Sequence, residues 1–106
     1  VLQRDAYPDI MPIILPVAPA EAFKRVDQAA MALGWDVVAR APADGRLEAV
    51  DTSEWFGFRD DIVVRIRAEG TGSRIDIRSK SRAGESDLGV NARRIRVFIA
   101  RLKAER

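Results

Sequence analysis

The chain has 106 residues, 47% of them hydrophobic and 32% charged, with no cysteine and no histidine. That composition suits one domain with a buried core, and it excludes disulfides, thiol nucleophiles, histidine bases and Cys/His zinc sites. No apolar run approaches the roughly 20 residues that span a bilayer as a helix. The formal charge of +2 is unevenly spread: residues 1–53 carry five basic and eight acidic groups, residues 54–106 thirteen basic and eight acidic. The halves therefore stand at −3 and +5. The basic half points to an anionic partner, and the plainer reading is a set of solvated arginines.

Residues 1–18 are punctuated by Pro8, Pro12 and Pro16. Proline has no N–H to give a sheet, so the segment reads as an extended lead-in with one short edge strand near Ile13–Leu15. Pro19-Ala20-Glu21 opens a helix, with proline in the first turn and an acid at the positive end of the dipole. Phe23, Val26, Ala30 and Leu33 mark its apolar face, and Gly34 stops it.

Trp35 to Arg40 reads as a strand, and Ala43-Asp44-Gly45-Arg46 as a turn into the next, where Leu47, Ala49 and Asp51 alternate with Glu48, Val50 and Thr52. Trp55-Phe56-Gly57-Phe58 turns the chain again. Ile62, Val64 and Ile66 then share one strand face, with Val63, Arg65 and Arg67 on the other. Glu69-Gly70-Thr71-Gly72-Ser73 is a hairpin loop with two glycines able to take positive φ. Ile75 and Ile77 point inward beyond it, and Arg74, Asp76, Arg78 and Lys80 outward. After a loop over 83–87, with Ser86 or Asp87 as N-cap, Leu88, Ala92, Ile95, Ile99 and Leu102 form a helical stripe. Arg93, Arg94, Arg96, Arg101 and Lys103 fill the other faces.

The predicted order is β-α-β-β-β-β-α, a single α+β domain over 1–106. It is an antiparallel sheet of about four to five strands with two helices packed on one face, helix-grip-like in arrangement. Val1 stands where an initiator Met would, so we expect the trimmed C-terminal part of a longer protein.

Three constellations carry possible chemistry. The first is a Ser/Gly-rich strand-to-helix passage containing Arg78, Ser79, Ser81, Arg82, Ser86 and Asn91. Free N–H groups at a helix start and paired guanidiniums suit an anion, although Asp87 would satisfy those same N–H groups as an ordinary cap. The second is Asp60-Asp61 with Asp51 and Glu54 nearby. Adjacent strand positions face opposite ways, so these acids are expected to pair with Arg65, Arg67 or Arg78 on neighbouring strands rather than to share a site. The third is the aromatic tip Trp55, Phe56 and Phe58, which reads as a cap on the core or as an exposed contact. Stacking residues on a basic patch are not evident, so nucleic acid is an unlikely partner.

Several stretches together resemble the domain-of-unknown-function family 1499. They are Ala6-Tyr7-Pro8-Asp9-Ile10, Leu33-Gly34-Trp35, Gly45-Arg46-Leu47-Glu48-Ala49, Phe56-Gly57-Phe58-Arg59-Asp60-Asp61, and Ile77-Arg78-Ser79 through Ser86-Asp87-Leu88-Gly89-Val90-Asn91 with Arg94-Ile95. The resemblance covers essentially the whole chain. It implies an uncharacterised bacterial or plastid protein, and a cell-envelope location with the membrane segment outside this chain, on the periplasmic face of the inner membrane or, alternatively, in the cytoplasm. It supplies no catalytic residues and no cofactor.

We therefore expect a non-enzymatic binding or accessory domain whose anionic ligand is a small molecule, lipid or polysaccharide headgroup. Arg65, Arg67, Arg78, Ser79, Ser81, Arg82, Ser86 and Asn91 are its candidate contacts. The alternatives are a protein-interaction module pairing through the Ile13–Leu15 edge, and a hydrolase-like enzyme with Asp60 or Asp61 as base and Ser79, Ser81 or Ser86 as nucleophile. Lys80, the one amine close by, falls on the strand face opposite Ser79 and Ser81.

Overall fold

The computed structural model describes residues 12–52, 59–81 and 88–104. The chain runs β1 (Ile13–Leu15), α1 (Pro19–Ala32), β2 (Asp36–Ala41), β3 (Arg46–Thr52), β4 (Arg59–Glu69), β5 (Gly72–Ser81) and α2 (Leu88–Ala104). All five strands join one antiparallel sheet in the order β1-β5-β4-β3-β2. The first strand thus leaves its sequence neighbour and pairs with the last. The expected α+β order holds element by element.

Alternation decides which face is covered. Ile13 and Leu15 of β1, Leu47 and Ala49 of β3, Ile62, Val64 and Ile66 of β4, and Ile75 and Ile77 of β5 are buried. Both helices pack on that face. From α1 come Ala22, Phe23, Val26, Ala29 and Ala30, and from α2 Ile95, Phe98 and Leu102. The alanines of α1 let its backbone come close to the sheet, while Phe98 fills the wider space beside Trp35. Their rings stack at 5.2 Å between centroids and 13° between planes, an arrangement that adds about 1 kcal/mol to area burial.

The ends of the elements follow from local chemistry. Pro19 stands in the first turn of α1, whose N-cap Ala18 provides no side-chain bond. At the other end Gly34 takes φ 79°, and Leu33 N–H donates to the Ala29 carbonyl at 3.0 Å. Arg40 reaches from β2 back to α1, its Nε and Nη2 donating to the two carboxylate oxygens of Asp27 at 2.9 and 3.0 Å. That hydrogen bond raises the Arg40 pKa above its ordinary value. Between β1 and α1, the buried Ser73 hydroxyl donates to the Val17 carbonyl at 2.7 Å.

The two glycines of the β4–β5 hairpin have different jobs. Only Gly70 takes positive φ, at 59°. Gly72 pairs with Glu69 inside the ladder, and it is small because a Cβ there would lie 2.3 Å from the Leu15 carbonyl oxygen of β1. Gly72→Ala should therefore push the first strand away, at about 2 kcal/mol. Faster amide exchange at Ile13–Leu15, with the β3–β4 ladder unchanged, is the readout.

Candidate functional site

Besides Ser73 at the β1 end, three described polar side chains break the apolar lining of the covered face. Asp51 of β3, Asp60 of β4 and Ser79 of β5 have the inward parity of Leu47, Ile62 and Ile77. Asp60 is 8% exposed and Ser79 1%. A buried carboxylate needs a partner, and α2 supplies it. Arg94 Nε donates to Asp51 Oδ2 at 3.0 Å, Nη1 to Ser79 Oγ at 3.0 Å, and Nη2 lies 2.7 Å from Asp60 Oδ2. One planar guanidinium therefore engages three strands at once, one through each of its three nitrogens.

This corrects two sequence expectations. Asp60 pairs with the helix and not with the strand arginines, because Arg65, Arg67 and Arg78 project from the opposite face of the sheet. Arg94 is not on a solvated face of α2; its side chain is only 12% exposed. The expectation that Asp60 and Asp61 face apart holds: Asp61 stands opposite Lys80 on the outer face.

No described element covers that outer face. Its cross-strand rows are Ile14–Arg74–Arg67, Asp76–Arg65–Arg46, Arg78–Val63–Glu48 and Lys80–Asp61–Val50. Two of these rows set like charges directly opposite each other, Arg67 against Arg74 and Arg65 against Arg46. Arg46 Nε lies 2.7 Å from Glu48, and Arg74 lies between Asp76 at 3.2 Å and Glu69 at 3.9 Å. Arg65 and Arg67 are exposed and form no ion pair among the described residues.

Of the residues nominated from sequence, Arg65, Arg67 and Arg78 share this open face. Ser79 is turned away from it into the covered cluster, one strand position being enough to reverse the direction. Arg82, Ser86 and the side chains of Ser81 and Asn91 lie outside the described residues, as do the aromatic tip Trp55, Phe56 and Phe58 and the Asp87 cap. Among the described residues no group of three His, Cys, Asp or Glu side chains could hold a metal, and no helix is long and apolar enough to cross a membrane.

A further hollow lies on the helix side, at the β2–β3 end of the sheet. It has a volume of about 280 Å³ and is lined by Leu33, Trp35, Asp51, Arg93, Arg94 and Val97. Sequence reading did not single it out, since its walls come from the end of α1, from β3 and from α2.

Fold and site together define an α+β domain in which two helices cover one face of an antiparallel sheet, the second fastened to it by a largely buried arginine, and the other face presents arginines to solvent. The chain belongs to the family described as protein of unknown function (DUF1499), whose model matches residues 1–102. No curated protein matches it.

Proposed function

We propose that this chain is a non-enzymatic binding domain of the cell envelope that takes an anionic ligand on the open face of its sheet, centred on Arg65 and Arg67. The observation that carries the reading is the pair of like-charge rows. Cations placed directly opposite each other across two strands cost stability. Two acids flank Arg74 and one flanks Arg46, whereas Arg65 and Arg67 between them have none within ion-pairing distance among the described residues. A bound phosphate, sulfate or carboxylate would turn that repulsion into charge-assisted hydrogen bonding. Arg78 extends the patch along β5. The envelope location rests on the family resemblance.

The enzymatic alternative meets two obstacles in the geometry. The Ser79 hydroxyl is beyond a substrate's reach and accepts a hydrogen bond from a guanidinium that cannot serve as a base. Asp60 is engaged by the same arginine. The edge-pairing alternative has β1 at the sheet edge, as its sequence suggested, but that strand is three residues long and set between Pro12 and Pro16. At the other edge, a register shift between Val37 and Ala39 bulges β2 at Val38. Both features blunt strand addition.

Equilibrium binding to sulfated oligosaccharides, inorganic polyphosphate and anionic vesicles tests the reading. Affinity should fall with salt, and the Arg65→Ala/Arg67→Ala protein should bind at least about tenfold more weakly, the equivalent of one lost charge-assisted bond. Unchanged affinity in that variant would reject the site.

A further inference from the structure

We propose that the hollow beside Trp35 is a second, independent binding site, for a small zwitterion with an apolar body, such as a free amino acid with a bulky hydrophobic side chain. Its walls fit such a body. Leu33, Trp35 and Val97 are apolar, and Val97 is 47% exposed at the mouth although it belongs to the helix that closes the core. Trp35 is held by its stacking on Phe98, so the apolar wall is set before a ligand arrives. A hollow of about 280 Å³ accepts one ring with a short chain and stands at the small end of the range of ligand sites.

The polar groups lie at separate positions. Asp51 gives one carboxylate oxygen, Oδ2, to Arg94, and its Oδ1 has no hydrogen bond among the described residues. Its side chain is 33% exposed, and Asp51 is part of the lining, so that oxygen is available to an ammonium group. Arg93, next along α2, is exposed and forms no ion pair among the described residues. It can take a carboxylate from the other side. Among the described lining residues Arg93 and Arg94 face Asp51, and Asp60 answers Arg94 from behind the wall. A ligand with both signs matches that balance, whereas a bare anion or cation leaves one pole unanswered.

The fluorescence of Trp35 gives the test. Trp55, the other tryptophan of the chain, is replaced by Phe so that the signal belongs to Trp35. The protein is titrated with L-phenylalanine, phenethylamine and 3-phenylpropionate, which share a ring and differ in charge. For a ligand of this size a dissociation constant on the order of 0.1–1 mM is expected. L-Phenylalanine should bind best, and each single-charge analogue at least about fivefold more weakly. Val97→Trp, which fills the mouth and leaves the Arg94 network untouched, should abolish the saturable signal, and Arg93→Ala should erase the preference for L-phenylalanine over phenethylamine. A flat titration with all three probes, equal affinity for the three, or a signal that survives Val97→Trp would overturn the proposal. None of these results depends on Arg65 and Arg67, so this site and the anion site stand or fall separately.

Discussion

Replacing Arg94 by Met is expected to destabilise the protein by about 3 to 5 kcal/mol, the usual cost of removing one partner from a buried ion pair. The methionine fills similar space, so the loss would come from charge and not from a cavity. Asp60 and Ser79, both buried, would be left facing an apolar side chain, while Asp51, one-third exposed, could turn to water. Urea unfolding followed by circular dichroism measures the effect. For a stability of about 5 to 15 kcal/mol, such a loss leaves a marginal fold. A companion variant separates the explanation from mere sensitivity of the position. Arg94→Met combined with Asp60→Leu and Ser79→Ala removes the whole buried polar set and should recover most of the stability, because an apolar replacement of a buried ion pair is often neutral or better. A triple variant no more stable than the single one would mean that shape, and not charge, makes Arg94 matter.

Gly45→Ala is the second large effect, at about 3 kcal/mol. The residue follows a single 3₁₀ turn at Pro42–Asp44 and takes φ 63° and ψ 40°, a conformation that costs an L-residue roughly 1 to 2 kcal/mol. In addition, a Cβ there would stand 1.9 Å from the Ile66 carbonyl oxygen, a backbone atom of the central strand that cannot swing aside. The backbone is close because Ile66 N–H donates to the Gly45 carbonyl at 2.7 Å, holding the β2–β3 turn against β4. Gly70→Ala is the control. It has nearly the same φ, 59°, but nothing within 4 Å of the added carbon, so it should cost only the conformational part. A difference of less than about 0.5 kcal/mol between the two variants would show that the turn moves and that the approach to Ile66 is soft.

Much of the fold was legible because its signals are local. Alternation in 62–66 and 75–77 placed the inner face, and the short spacing between strands required antiparallel neighbours. Gly34 and Pro19 marked the ends of the first helix. The candidate site was less legible. Arg94 reads as a surface residue among four other basic side chains of α2, since no periodicity tells a buried guanidinium from a solvated one. The signal lay elsewhere: Asp51, Asp60 and Ser79 occupy inward positions on three consecutive strands, and buried acids require a cation. Recognising that needs the register of β3, β4 and β5, which pairs Asp51 with Asp60 and Ile62 with Ser79. Phe98 was missed for a related reason. The predicted stripe contains Ile95 and Leu102, both buried, but takes Ile99 where the neighbouring Phe98 is the residue against Trp35, and only the packing of the helix decides between the two. Cross-strand repulsion between Arg65 and Arg46, or Arg67 and Arg74, is likewise a property of register, invisible to a reading that counts charge by halves.

The pairing of β1 with β5 carries a consequence for how the chain is made. Leu15 meets Ser73 and Ile13 meets Ile75, so the first strand leaves the ribosome long before its partner exists. Until β5 emerges it has no sheet neighbour, and Pro12 and Pro16 on either side keep it from other strands. The central ladder of β3, β4 and β5 is built from consecutive hairpins and can form as it emerges. The opening strand can then dock from the outside as one of the last acts of folding, its place kept clear by the missing side chain of Gly72.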